Sequence, residues 1–136
     1  MSLVQWVSFP ILGDERGSLT VLESEKNIPF EMRRVYYIAN TMQGVSRGFH
    51  AHKTLRQIAV CVSGRCKMLL DDGCEKAWVW LEPSSKGLFI EPYVWHEMHE
   101  FSSDCVLLVI ASDYYDEADY IRDYDVFSSE VKNEKR

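Results

Sequence analysis

The sequence predicts an all-β fold in which many short antiparallel strands close into a sandwich or barrel, followed by a short helical C-terminal segment. Three observations carry this. Short apolar runs rich in Val, Ile, Leu and Tyr recur along the chain. Several of them alternate polar with apolar residues, the period of a half-buried strand. Gly, Asp, Asn and Ser-rich turns separate the runs at intervals of roughly 8–12 residues, the spacing of sandwiches and barrels.

The elements follow in order. Leu19–Glu23 reads as a strand after the turn Gly13-Asp14-Glu15-Arg16-Gly17. Arg33–Ile38 alternates, and Arg47–His52 begins a strand near Gly48. Gln57–Val62 and Arg65–Leu70 flank the Ser63-Gly64 turn. Asp71-Asp72-Gly73 is a hairpin signal, because Asp-Gly tolerates the positive φ of tight turns. Ala77–Leu81, Gly87–Ile90, Trp95–His99 and Cys105–Ala111 complete the strands. Only Asp116–Arg122 and the tail Ser128–Arg136 look helix-capable, and the charged tail is expected to fray. Strands this short leave edges that invite aggregation unless closed or covered, which favours a barrel.

Composition bounds the function. With 136 residues, 46% hydrophobic and 26% charged, the expectation is one packed domain spanning 1–136. A net charge of −6 argues against nucleic-acid binding, which needs a basic field, but leaves room for one anionic ligand held by local Arg and Lys. The longest apolar run, Cys105–Ala111, is far shorter than the roughly 20 residues of a membrane helix, so no membrane association is expected. Cysteines 61, 66, 74 and 105 form no Cys-x-x-Cys pair and read as reduced thiols, mostly buried, which points to the cytoplasm.

The four histidines fall into two pairs, His50-Ala51-His52 and His96-Glu97-Met98-His99. Residues i and i+2 of a strand share a face, so His50 and His52 project together into the interior. A metal site, proton-transfer chemistry and a structural pair are all compatible with two imidazoles on one face.

Gly44, His50, His52, Gln57 and Gly64 match the first cupin motif in every interval, and Gly87, Pro92 and His96 match the second more loosely. Metal-binding cupins use a glutamate where this chain has Gln57. A neutral amide oxygen is a weaker ligand for a divalent ion, which disfavours a metal and favours proton transfer. The strings Arg47-Gly48-Phe49-His50-Ala51-His52-Lys53, Val94-Trp95-His96-Glu97-Met98-His99 and Ser112-Asp113-Tyr114-Tyr115 resemble the sugar 3,4-ketoisomerases of the FdtA/WxcM-like family. The resemblance runs from about Gly13 to Asp125.

The resemblance implies a cupin-type jelly-roll β-barrel and a homodimer with exchanged N-terminal strands. It also implies an isomerase that uses no metal or other cofactor and moves the keto group of dTDP-4-keto-6-deoxy-D-glucose from C4 to C3 through an enediol. Alternatives are a dTDP-4-keto-6-deoxyglucose 3,5-epimerase and a non-catalytic sugar-binding cupin. By resemblance His52 is the base at carbon and His50 shuttles protons at the oxygens, with the two roles interchangeable on sequence. Arg47, Tyr37, Lys53, Gln57, His96, Arg33, Arg16 and Arg122 are the candidate substrate contacts, and either Arg33 or its neighbour Arg34 meets a phosphate. His99 is expected to be peripheral. Arg16 and His96 resemble the branch of the family that makes the galacto product.

Overall fold

The computed structural model describes residues 3–134. Twelve strands are formed among them: β1 Gln5–Ser8, β2 Ile11–Asp14, β3 Gly17–Thr20, β4 Arg34–Ile38, β5 Arg47–His52, β6 Gln57–Ser63, β7 Cys66–Asp71, β8 Lys76–Leu81, β9 Lys86–Ile90, β10 Trp95–His99, β11 Val106–Ala111 and β12 Tyr120–Ile121. A helix, α1, spans Tyr124–Glu134. One sheet has the order β1-β9-β6-β11-β4 and the other β12-β5-β10-β7-β8, with every pairing antiparallel. These are the two layers of a cupin-type jelly roll.

Three sequence expectations are corrected. The strand at Leu19–Glu23 lies earlier, because the Gly13–Gly17 turn is tighter than it reads: Ile11–Asp14 and Gly17–Thr20 pair directly, and only Glu15 and Arg16 turn the chain. The Asp14 carboxylate accepts from the Arg16 backbone N–H, and Gly17 takes φ +132°. Asp116–Arg122 is not an α-helix. Asp116 caps a single 3-10 turn at Glu117–Asp119, after which Tyr120 turns extended and pairs with His52. The tail is anchored: α1 starts four residues before the expected Ser128, and Phe127 and Val131, one turn apart, are buried against Ala51, Trp95 and Ile121. A Phe127→Ala variant should lose about 3–5 kcal/mol of unfolding free energy by denaturant titration.

The space between the sheets changes character along its length. The inward row of β6 runs Cys61, Ala59, Gln57, and that of β10 runs Met98, His96. In β4 the residues turned away from solvent are Ile38, Tyr36 and Arg34. The apolar ends of these rows join Leu70, Leu81, Leu88 and Leu107 in the main core. The polar ends gather beside the two histidines of β5.

Candidate active site

β4 is the free edge of the first sheet, and β5 lies one strand in from the edge of the second, covered only by the two residues of β12. A cavity of about 560 Å³ opens between them, lined by His50, Tyr36, Arg34, Arg47, Tyr120 and Arg122 among others. β5 reaches it through a kink. Gly48 has φ +91° and Phe49 φ +61°, opposite a register shift between His96 and Glu97. A Cβ at Gly48 would sit 3.0 Å from the His96 carbonyl oxygen, so this close strand crossing needs glycine.

Beyond the kink, His50 and His52 do share a face. Their ring centroids are 5.0 Å apart, and His96 on β10 completes a triangle at 4.6 Å from His50 and 5.9 Å from His52. His52 and His96 are each 2% exposed. The Tyr120 ring packs 4.9 Å from His50 and 4.3 Å from His52.

The hydrogen bonds set the tautomers. His50 Nδ1 lies 3.1 Å from the Gly48 carbonyl oxygen and His96 Nδ1 lies 3.1 Å from that of Val94. A carbonyl only accepts, so both Nδ1 atoms carry the proton and both Nε2 atoms keep a lone pair. Among the described residues His52 has no hydrogen-bonded partner at either nitrogen, and its Nδ1 lies 3.4 Å from Asp119 Oδ2. That distance is within ion-pair reach but too long for a formed hydrogen bond. Burial, reinforced by His50, Arg34 and Arg122, therefore dominates and pushes the His52 imidazole down to about 3. Burial pushes His96 down to about 3 as well and lowers His50, against the pull of the Gly48 carbonyl. All three rings are neutral bases at neutral pH.

One nitrogen of each ring lies within 4.8 Å of the others, a spacing that three ligands of one metal ion would have. The anionic member that a metal cupin adds is replaced by Gln57, 2% exposed, whose Nε2 donates to the Tyr36 hydroxyl at 2.8 Å. Burial raises the pKa of that hydroxyl.

The other predicted residues divide. Arg47 and Arg122 line the cavity. Arg122 lies over the Tyr120 ring at 4.2 Å and bonds Glu117 at 2.7 Å, which holds the Glu117 carboxyl down to about 2. Of the two adjacent arginines it is Arg34 that faces inward, with a buried Nε that has no hydrogen-bond partner among the described residues. Arg33 is turned out to Glu31 and the Tyr114 ring. Tyr37 borders the mouth but is 69% exposed, while Tyr36 enters the interior. The side chain of Lys53 is exposed and lies outside the cavity lining. Arg16 is ion-paired to Asp14 at the tip of the β2–β3 hairpin, away from the histidines of its own chain. His99 is indeed peripheral, bonded to Ser46 and Glu97. Sequence reading missed Tyr36, Asp119 and Tyr120. Tyr36 had a signal, because it shares the inward face of β4 with Arg34.

A jelly roll that gathers the histidines of the two cupin motif positions into one cluster between its sheets defines a cupin. Residues 2–132 match the FdtA family (WxcM-like, C-terminal), and the chain belongs to it. It is 53% identical over 125 residues to TDP-4-oxo-6-deoxy-alpha-D-glucose-3,4-oxoisomerase of Aneurinibacillus thermoaerophilus, covering 92% of this chain and 90% of that one. It superposes with TM-score 0.94 and 43% identity on QdtA, a sugar 3,4-ketoisomerase from Thermoanaerobacterium thermosaccharolyticum in complex with TDP, covering 97% of this chain and 96% of that one. A variant of QdtA is in complex with TDP-4-keto-6-deoxyglucose. A 3,4-ketoisomerase from Helicobacter canadensis matches at TM-score 0.91 and 44% identity, over 95% and 97% of the two chains.

Proposed function

We propose that this protein is an isomerase that moves the keto group of dTDP-4-keto-6-deoxy-D-glucose from C4 to C3. The observation that carries the reading is His50, which lines a cavity shared with Arg34, Arg47 and Arg122 and is clustered with the buried imidazoles of His52 and His96. The C4 ketone acidifies the proton on C3. His52 removes it, an enediolate forms, and a proton returned to C4 completes the carbon exchange. His50, less buried, relays the C3 hydroxyl proton to O4 without holding a second charge beside His52, so that the C3–H and O3–H bonds are replaced by C4–H and O4–H bonds with no net redox change. The three guanidiniums suit a diphosphate in an otherwise acidic protein.

Incubation with the substrate in deuterium oxide should give a 3-keto sugar, with deuterium at C4 in those turnovers where the proton exchanges with solvent. NMR that shows no 3-keto product would end this reading. Exchange at C3 and C5 without keto migration would support the epimerase instead. Substrate binding without turnover would leave only a sugar-binding cupin. The chemistry needs no metal if the arginines and neutral donors hold the enolate charge, so activity should survive a chelator; its loss, restored by a divalent ion, would reverse that.

The galacto configuration at C4 is proposed for the product, to be read from the same spectra. Arg16 takes part by way of a second copy. Among the described residues the β2–β3 hairpin pairs with no other strand, and it exposes Ile11, Leu12 and Leu19, while the β4 edge exposes Val35 and Tyr37. An isolated hairpin is marginal in water, so exchange onto the β4 edge of a partner gives it a sheet. Light scattering should report a dimer, and a Leu12→Asp, Leu19→Asp variant should shift it to monomer. We place the reaction in the cytoplasm; among the described residues no helix is long and apolar enough to cross a membrane.

A further inference from the structure

Gln57 has a use beyond weakening a metal site. It is 2% exposed, on the inward row of β6, so its amide has to find a partner in the interior. The partner lies two strands away. β11 runs between β6 and β4, and its residue opposite both Gln57 and Arg34 is Ala111. Ala111 is fully buried and presents only a methyl group, so the glutamine can reach across β11 to Tyr36, the next inward residue of β4. There Nε2 donates to the hydroxyl oxygen at 2.8 Å.

An amide nitrogen only donates, so this bond also fixes what the tyrosine does with its own hydrogen. The hydroxyl oxygen is used as an acceptor, and its hydrogen has to be given elsewhere. Among the described residues the Tyr36 hydroxyl bonds to no other group. Arg34 lies over the Tyr36 ring at 5.3 Å, but a guanidinium offers no acceptor. What Tyr36 does border is the cavity, whose lining it shares with His50, Arg34 and Arg47. Burial, helped by Tyr120, holds the hydroxyl above its ordinary range against the opposite pull of Gln57, Arg34 and Arg47. At neutral pH the group therefore keeps its hydrogen and can donate it.

We propose that Gln57 is the positioning residue of Tyr36, turning its hydroxyl into a hydrogen-bond donor aimed at the sugar oxygen on which charge develops as C3 loses its proton. This rests on the reading of the cavity as the keto-sugar site, and it does not depend on which imidazole takes the carbon proton. A fixed donor of this kind stabilises an enediolate without a metal. It also gives a reason for an amide at this position. A carboxylate here would accept the Tyr36 hydrogen and withdraw it from the cavity. The one change that would complete a metal site would thus also silence the donor.

The test is Gln57→Glu, which reverses the hydrogen bond, beside Tyr36→Phe, which removes the donor. Assays are run with a chelator at about pH 8, where the carboxylate is ionised and the imidazoles are neutral. Each variant should lose about 10²–10³-fold in kcat while KM changes less than about threefold. The double variant should fall no more than about threefold below either single one, because both act through the same hydroxyl. Without substrate, carbon-13 NMR of tyrosine labelled at Cζ should show Tyr36 ionising at lower pH in the wild type than in Gln57→Glu, since an N–H donor favours the phenolate and a carboxylate opposes it. A Gln57→Glu variant within about threefold of wild type, losses that multiply in the double variant, or a Tyr36 that ionises as readily in Gln57→Glu as in the wild type overturns the proposal. If Gln57→Glu does not fold, Gln57→Met takes its place, with a loss of about tenfold in kcat that vanishes in the Tyr36→Phe background; a loss that persists there overturns the proposal. A wild type that makes no 3-keto product ends the isomerase reading, and the titration still decides which way the bond between Gln57 and Tyr36 runs.

Discussion

A His52→Asn variant is expected to fold and to lose about 10²–10⁴-fold in turnover, the range for removing a positioned general base. The ring is 2% exposed and lies in the polar end of the interior, so an amide can occupy its place and donate to Asp119 Oδ2. Substrate binding should persist, because the arginines at the cavity rim are untouched. His99→Asn is the matched control. That ring sits outside the cavity, bonded to Ser46 at 2.7 Å and Glu97 at 2.8 Å, and its replacement should leave turnover within about threefold. Single-turnover and steady-state kinetics on the two variants check the pair. Near-wild-type activity of His52→Asn would transfer the carbon base to His50 or His96.

The same buried ring should make the protein acid-sensitive well above the carboxylate range. In the unfolded chain a histidine titrates near 6.5, whereas His52 and His96 are both held down to about 3 in the fold. Between these values the unfolded chain binds protons that the folded one refuses, so stability is complete above about pH 6.5 and falls as the pH drops. One such group costs about 1.4 kcal/mol per pH unit in the middle of that window, and two cost on the order of 2–3. Urea midpoints measured from pH 7 to pH 4 should fall accordingly. His52→Asn should flatten the slope by about one proton, so a variant nearly dead in catalysis should outlast the wild type near pH 5. Midpoints that stay level from pH 7 to pH 5 would show that the rings are not buried as neutral bases.

The histidine constellation was legible because it is written in two short strings. His50 and His52 lie on one strand, His96 on its neighbour, and strand periodicity alone turns the first two to one side. Gln57 was legible for the same reason, and its bond to Tyr36 explains how an amide is kept in the polar interior. What sequence could not supply was register between distant segments. Whether Arg33 or Arg34 faces inward depends on the register in which β4 pairs with β11, where Arg34 lies opposite Ala111, and the local alternation serves either choice. Asp119 and Tyr120 sit in a stretch whose composition reads as helix. They become site residues only because one 3-10 turn ends there and the chain extends along β5, more than sixty positions earlier in sequence. The tail's charged residues hid the spacing of Phe127 and Val131, which anchors α1.

The common tautomer of His50 and His96, with His52 beside them, gives the interior several lone pairs but a capacity of one hydrogen ion. Once any ring is charged, its neighbours at 4.6–5.9 Å are repelled from taking a second. The hydrogen lifted from one carbon therefore has to be set down before another can be taken up, and the burial of His52 and His96, each 2% exposed, slows its loss to bulk water. Such an enzyme carries isotopic memory: part of a tritium label placed at C3 should reappear at C4 of the same sugar molecule.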